Sequence, residues 1–116
     1  MYQVGLNDYF MEQTSHSELR IRVLLSSYSA LLGRIHPDIR LITIDWGLEY
    51  YAIMAYFNRP VSDDDLELLK GITTEIAADI PQFKSFKEYA EYSLKPVEEL
   101  KPLKDMIYLR YGELHM

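Results

Sequence analysis

The sequence predicts an α+β fold with two helices packed on one face of a mostly antiparallel four-stranded sheet, in the order α-β-β-α-β-β. Two long segments repeat apolar residues at steps of three and four, which is the period of an amphipathic helix. Shorter segments rich in β-branched and aromatic residues indicate strands. These strands come in pairs between the helices, and that grouping favours an α+β domain.

The first helix is predicted over about residues 16–32. Ser15 and Glu18 have the spacing of a capping box, which marks a helix start. Gly33 stands where a left-handed C-terminal cap is expected, and Pro37 prevents the helix from continuing. The residues predicted to form its buried face are Ile21, Leu24, Leu25, Tyr28, Leu31 and Leu32.

The first two strands are predicted at residues 39–46 and 49–57. The connection around Gly47 is short, which implies an antiparallel hairpin. Both segments carry apolar residues on both faces, so we expect neither face of the sheet to be fully open to water. Pro60 ends the second strand, because proline cannot donate to a sheet ladder.

The second helix is predicted over residues 63–79 and begins with three consecutive aspartates. Ser62 is placed as the N-cap, and Asp65 completes a shortened capping box. Negative charge is favourable here, because unpaired N–H groups and the helix dipole make this end electropositive. Pro81 ends the helix. Its predicted buried face consists of Leu66, Leu69, Ile72, Ile76 and Ile80.

The last part of the chain is less regular. Residues 84–94 fit both a helical stripe and a strand face, and a strand near 87–94 is the favoured prediction. Residues 95–102 contain two prolines and are predicted to form a loop. Residues 105–111 predict the final strand, which Gly112 ends.

Length, charge and cysteine content restrict the class of protein. The 116 residues suffice for one domain with a substantial core, predicted at 15–116 after an irregular lead-in at 1–14. The net charge of −6 argues against nucleic-acid binding and against a polybasic membrane-surface role. No apolar run approaches the length of a membrane span. The chain has no cysteine, which suits a reducing cytosol, and we expect a cytoplasmic protein.

The sequence offers no catalytic constellation. The three histidines are far apart, no serine stands in a nucleophile-elbow context, and no glycine-rich loop could bind phosphate. Three consecutive helical aspartates fan out by about 100° each and cannot converge on one ion. We therefore expect neither an enzyme nor a metal or cofactor site.

Surplus carboxylates are the candidate partner-binding groups. Five lie on the second helix and two flank the hairpin turn: Asp63, Asp64, Glu67, Glu75, Asp79, Asp45 and Glu49. An anionic face of this kind suits a basic partner. The alternative is an ordinary solvated surface, since like charges four residues apart repel only mildly in water.

The ten tyrosines are the second unusual feature. Tyrosine joins a large apolar area to a polar tip and is enriched at protein interfaces. The simpler alternative is that these residues complete the packing of a small sheet. A tyrosine-rich sheet could also pair with itself, which gives a second functional hypothesis, a non-catalytic structural subunit that self-associates.

Several segments together resemble a family of bacterial immunity proteins. They are Arg20–Leu25, Leu31–Arg40, Ser62–Asp65, Glu75–Pro81 and Ile107–Arg110. Over about residues 17–112 the chain is similar to immunity proteins of contact-dependent growth inhibition and colicin-like systems. The resemblance implies a bacterial protein that binds the C-terminal nuclease domain of a cognate toxin, often a tRNA-cleaving one, and so protects the producer. It transfers no binding residue to this chain.

The favoured hypothesis is therefore an immunity protein that neutralises a toxin nuclease domain by binding it through an acidic surface. It requires no direct contact with nucleic acid and no membrane. The sequence leaves the oligomeric state open.

Overall fold

The structure, a computed structural model, describes the backbone of residues 4–114 and the side chains of residues 16–114. Within these residues the element order is the predicted α-β-β-α-β-β. The helices are α1 (Val4–Leu31) and α2 (Asp63–Asp79). The strands are β1 (Ile39–Trp46), β2 (Tyr50–Phe57), β3 (Ser85–Tyr92) and β4 (Asp105–Leu109), and one 3-10 turn, Val97–Glu99, precedes β4.

The sheet is mixed, with the strand order β3-β2-β1-β4. β1 pairs antiparallel with β2, as the predicted hairpin requires, and it also pairs antiparallel with β4. β2 and β3 are parallel, which the sequence pattern did not predict. The reason is the connection between them, because α2 carries the chain back along the sheet before β3 begins, and a parallel pair needs such a crossover.

α1 begins much earlier than predicted. Its backbone is helical from Val4, so residues 4–14 are not the irregular lead-in that the missing apolar period indicated. Periodicity reports burial against a core, and a helical segment can form without that signal. Residues 1–3 of the predicted lead-in lie outside the described residues, and the boundary of the domain at residue 15 stays a prediction.

The main core lies between the helices and one face of the sheet. It joins α1 and α2 to inward side chains of β1 and β2, among them Ile42, Ile44 and Ile53. The hydroxyls of Ser27 and Tyr51 share a buried hydrogen bond of 2.9 Å between α1 and β2. Burial raises the pKa of Tyr51 to about 12, which keeps its hydroxyl neutral.

The opposite face of the sheet is covered in part by the chain that leads into β4. Leu41, Tyr56 and Leu100 form a second, smaller buried cluster there. The Tyr56 hydroxyl donates to the carbonyl of Lys101 at 2.9 Å, and the N–H of Leu103 donates to Thr43 Oγ1 at 2.9 Å. This cover explains why both strands of the hairpin are apolar on both faces.

The buried face of α1 differs from the predicted one. Leu19, Val23 and Ala30 are buried, and of the predicted set only Leu31 is buried and Leu24 half-buried. The other four predicted residues, Ile21, Leu25, Tyr28 and Leu32, are exposed. On α2 the prediction holds for four of its five residues, and Leu66 is exposed.

Candidate partner-binding surface

The start of α2 is built by a capping box. The Ser62 N–H donates to Asp65 Oδ2 at 2.8 Å, and the Asp65 N–H donates to Ser62 Oγ at 3.3 Å. Arg59 holds the same carboxylate from the preceding loop, with Nη1 2.7 Å from Oδ2 and Nη2 3.0 Å from Oδ1. Asp65 is buried, so its charge stabilises the start of the helix and is not accessible to a partner.

The electrostatics of this junction follow from its geometry. The hydrogen bonds from Arg59 lower the pKa of Asp65 from its ordinary value of 3.8 to about 2, and the Ser62 amide adds to the effect. Asp65 and Asp38 in turn raise the pKa of Arg59. The pair remains charged at any physiological pH and ties the loop after β2 to the helix.

Three acidic residues beside this junction have no such internal role. Asp63, Asp64 and Glu67 are exposed. Within residues 16–114, no arginine, lysine or histidine forms an ion pair with any of them. Their carboxylates therefore leave the first two turns of α2 with an uncompensated negative surface.

Glu75 and Asp79, on the later turns of α2, are engaged by the chain itself. Glu75 Oε1 lies 2.7 Å from Arg34 Nη1, just beyond the end of α1. The guanidinium of Arg34 lies over Gly71, where an added Cβ would come within 3.1 Å of Nε. Asp79 Oδ2 accepts a 2.7 Å hydrogen bond from Ser26 Oγ of α1.

The two acidic residues at the hairpin turn differ from each other. Asp45 accepts hydrogen bonds from the Trp46 N–H at 2.8 Å and from the Tyr50 hydroxyl at 3.3 Å. The Glu49 side chain is exposed, while its carbonyl accepts from the N–H groups of Lys84 and Ser85.

The seven predicted residues therefore do not form one patch. α2 starts just after β2 ends, whereas Asp45 and Glu49 lie at the turn where β2 begins. Eight residues of strand separate these ends by roughly 25 Å. The structure brings Asp63, Asp64 and Glu67 together at one end, and Asp79 lies toward the other. Their contact with a partner stays a prediction.

The tyrosines are divided between core and surface. Tyr51 and Tyr56 are buried, while Tyr50 and Tyr89 are exposed on the sheet face that turns away from the helices. The exposed pair lines a cavity of about 280 Å³ together with Asp45 and Lys87. The tyrosine-rich sheet is thus not a uniform exposed surface, and the chain between β3 and β4 covers part of this face.

Sequence reasoning missed an exposed apolar surface on α1. Ile21, Leu25, Tyr28 and Leu32 recur at helical spacing, and this spacing wrongly predicted that they belong to the core. The buried side of the helix carries smaller residues, and this pattern could have identified it from the sequence. These residues are Val23, Ser26, Ser27 and Ala30. Small side chains allow a helix to approach its neighbours closely, and here they face α2 and β2.

The described residues contain no candidate metal site. Among residues 16–114, no three histidine, aspartate or glutamate side chains are arranged so that they could hold a metal ion. His16 stacks on Trp46 at 5.2 Å between ring centroids, and His36 packs against Phe57. His115 lies outside the described residues. Neither described helix has the length and apolarity that crossing a bilayer requires.

Comparison with known proteins identifies the family. A protein-family model described as MafI2 immunity protein matches residues 20–112, which is most of the chain. No curated protein matches the sequence. The chain therefore belongs to the MafI2 immunity protein family, and the matched residues span the end of α1, both strand pairs and all of α2.

Proposed function

We propose that this immunity protein neutralises the C-terminal nuclease domain of its cognate toxin by binding it through the acidic start of α2. Membership of the family implies a toxin partner and a non-catalytic inhibitory role. The observation that carries the finer proposal is the uncompensated charge of Asp63, Asp64 and Glu67. The neighbouring Asp65, by contrast, forms an ion pair with Arg59, with 2.7 Å between Nη1 and Oδ2.

Charge complementarity supports this binding mode. A nuclease must neutralise phosphates to hold RNA, so its substrate-binding surface is basic. An anionic surface steers the encounter with such a partner and raises the association rate. Close charge pairs across an interface of this kind, such as the one between barnase and barstar, couple by roughly 1.5–7 kcal/mol.

The remaining predicted residues have subordinate roles. Glu75 and Asp79 are held in fixed positions by Arg34 and Ser26, so they present oriented carboxylates on the same helix. Asp45 and Glu49 form a second, separate acidic contact at the hairpin turn. We propose the cytoplasm as the compartment, in line with the cysteine-free composition.

The test compares two variants of equal net charge. One neutralises the proposed contact, Asp63→Asn/Asp64→Asn/Glu67→Gln. The control, Glu91→Gln/Glu98→Gln/Glu99→Gln, neutralises three exposed acids elsewhere. Binding to the cognate toxin domain is measured by calorimetry and stopped-flow at low and high salt.

We expect the contact variant to lose at least about tenfold in affinity at low salt, chiefly through slower association, and the control to lose far less. Equal losses would show that only net charge matters and would contradict the proposed site. A ribonuclease assay checks the rest, because equimolar immunity protein should abolish RNA cleavage by the toxin domain. A toxin domain that cleaves no nucleic acid would contradict the nuclease part alone.

A further inference from the structure

α1 is apolar on two opposite faces. One face, centred on Val23 and Ala30, packs against α2 and the sheet. At about 100° per residue, the side chains of Ile21, Leu25 and Tyr28 project from the other side of the helix, and Leu32, the residue directly after α1, extends the same spacing. We call these four residues the α1 stripe; their exposures are 58%, 63%, 48% and 77%. A helix in a two-layer fold needs one apolar face, so the second face indicates a further packing layer.

We propose that the α1 stripe is the contact surface for a second copy of this chain, with the two α1 helices antiparallel. The stripe has successive steps of four, three and four residues, which is the spacing of a coiled-coil seam. Read in reverse, these steps are the same. An antiparallel copy therefore sets Ile21 opposite Leu32 and Leu25 opposite Tyr28, and a two-fold axis makes each contact twice.

The stripe supplies more than half of the area that a standard dimer interface requires from each copy. Four side chains exposed to this extent form a patch on the order of 500 Å², the size of the largest apolar patch on typical monomers, which is often functional. A standard interface covers about 800 Å² per partner. Two polar residues at the edge of the stripe, Glu18 and Arg22, carry opposite charges and extend the contact without net repulsion.

Charge across the whole molecule favours the antiparallel arrangement. Each copy carries a net charge of −6, so two copies associate most easily where acidic residues are kept apart. The start of α2 lies beyond the C-terminal end of α1, as the 3.9 Å approach of His36 Nε2 to Asp65 Oδ1 shows. Antiparallel α1 helices therefore hold the two acidic surfaces at opposite ends of the dimer.

Sedimentation velocity with light scattering tests the proposal on the full chain. We expect the wild-type protein to have twice the 13.7 kDa chain mass at micromolar concentration. Leu25→Glu should have the mass of one chain, while Leu94→Glu, which changes an equally exposed leucine near β3, should remain a dimer. Circular dichroism confirms that both variants are folded. A wild-type monomer at every concentration, or a dimeric Leu25→Glu, would overturn the proposal.

Engineered cysteines test the orientation, since the natural chain contains none. When Leu25→Cys and Tyr28→Cys proteins are mixed and oxidised, we expect a disulfide between the two variants. Either variant alone should crosslink poorly. Efficient crosslinking of each variant with itself indicates parallel helices and contradicts the antiparallel pairing. If Leu25→Glu abolishes toxin binding and the wild type is monomeric, the toxin occupies the stripe and the second copy does not.

Discussion

The two helices cover the same face of the sheet and present opposite chemistry to solvent. α1 exposes the apolar stripe, while α2 exposes acidic residues along its first turns. Their inward faces are alike in being buried, and they join one continuous core. The difference therefore lies in exposed residues that the core does not require, and these residues are the ones proposed above to contact partners.

A second contrast lies within α2 itself. Asp65 is buried and bonded to Arg59 and Ser62, while Asp63 and Asp64 in the same turn are exposed. Of three consecutive aspartates, one thus stabilises the start of the helix, and the other two are exposed to solvent. Sequence position alone does not separate these roles; the direction of each side chain does.

The largest expected effect is the difference in stability loss between a buried and an exposed apolar residue. Ile76→Ala removes a fully buried side chain from α2 and should lower the free energy of unfolding by about 2–5 kcal/mol. Leu25→Ala on the α1 stripe should change it by less than about 0.5 kcal/mol in the monomer. Urea denaturation at low protein concentration measures both. A large loss for Leu25→Ala would place that residue in the monomer core.

The next effect concerns the buried acid of α2. Asp65→Asn keeps the shape of the side chain but removes the charge that Arg59 holds, and should cost roughly 2 kcal/mol at neutral pH. The matched change Asp64→Asn, one residue away, should cost only about a few tenths of a kcal/mol. Similar losses in the free energy of unfolding for both variants would contradict the conclusion that only Asp65 stabilises the fold.

The same carboxylate predicts a pH dependence. The folded-state pKa of Asp65 is about 2, below its ordinary value of 3.8, so its contribution to stability is present above pH 3.8. This contribution is lost as the pH falls from about 3.8 towards 2, because the unfolded chain then binds the proton more strongly. Denaturation midpoints across this range should fall more steeply for the wild type than for Asp65→Asn.

The outward acids should matter little to folding. Neutralising Asp63, Asp64 and Glu67 together removes a favourable interaction with the helix dipole but also relieves mutual repulsion. We expect the free energy of unfolding to change by less than about 1 kcal/mol. Thermal denaturation, run beside the binding measurement, checks this. A strongly destabilised variant would mean that these residues belong to the fold.

The smallest effect lies where the two helices meet. Gly71→Ala should gain about 1 kcal/mol of helix propensity, but the new Cβ displaces Arg34 and weakens its pair with Glu75. The net change should be close to zero. In an Arg34→Ala background the same substitution should stabilise by about 1 kcal/mol. Equal effects in both backgrounds would show that the guanidinium does not constrain this position.

Much of the fold could be predicted from local patterns. The bounds of α2, the hairpin and its antiparallel pairing agree with the structure because capping residues, prolines and alternating apolar residues act over a few positions. The parallel pairing of β3 and the helical backbone from Val4 were not predicted. The parallel pairing depends on where the crossover through α2 brings the chain back to the sheet. The early start of α1 lies in a segment whose apolar residues have no helical period.

The candidate site was predictable in composition and not in arrangement. The acids near residue 63 stand out in the sequence, but no pattern shows that Glu75 pairs with Arg34 or that Asp79 accepts from Ser26. Those partners are 41 and 53 residues away along the chain. The α1 stripe was misassigned because both faces of that helix are apolar, so periodicity alone cannot say which one meets the core.

The sequence by itself determined the number and kind of elements, the capped start of α2 and the acidic excess, since each follows from neighbouring residues and from composition. Only the tertiary structure decided which carboxylates are neutralised and which face of α1 is left uncovered. Both outcomes depend on contacts between residues far apart in the chain, because burial and ion pairing are properties of the packed molecule and not of any single segment.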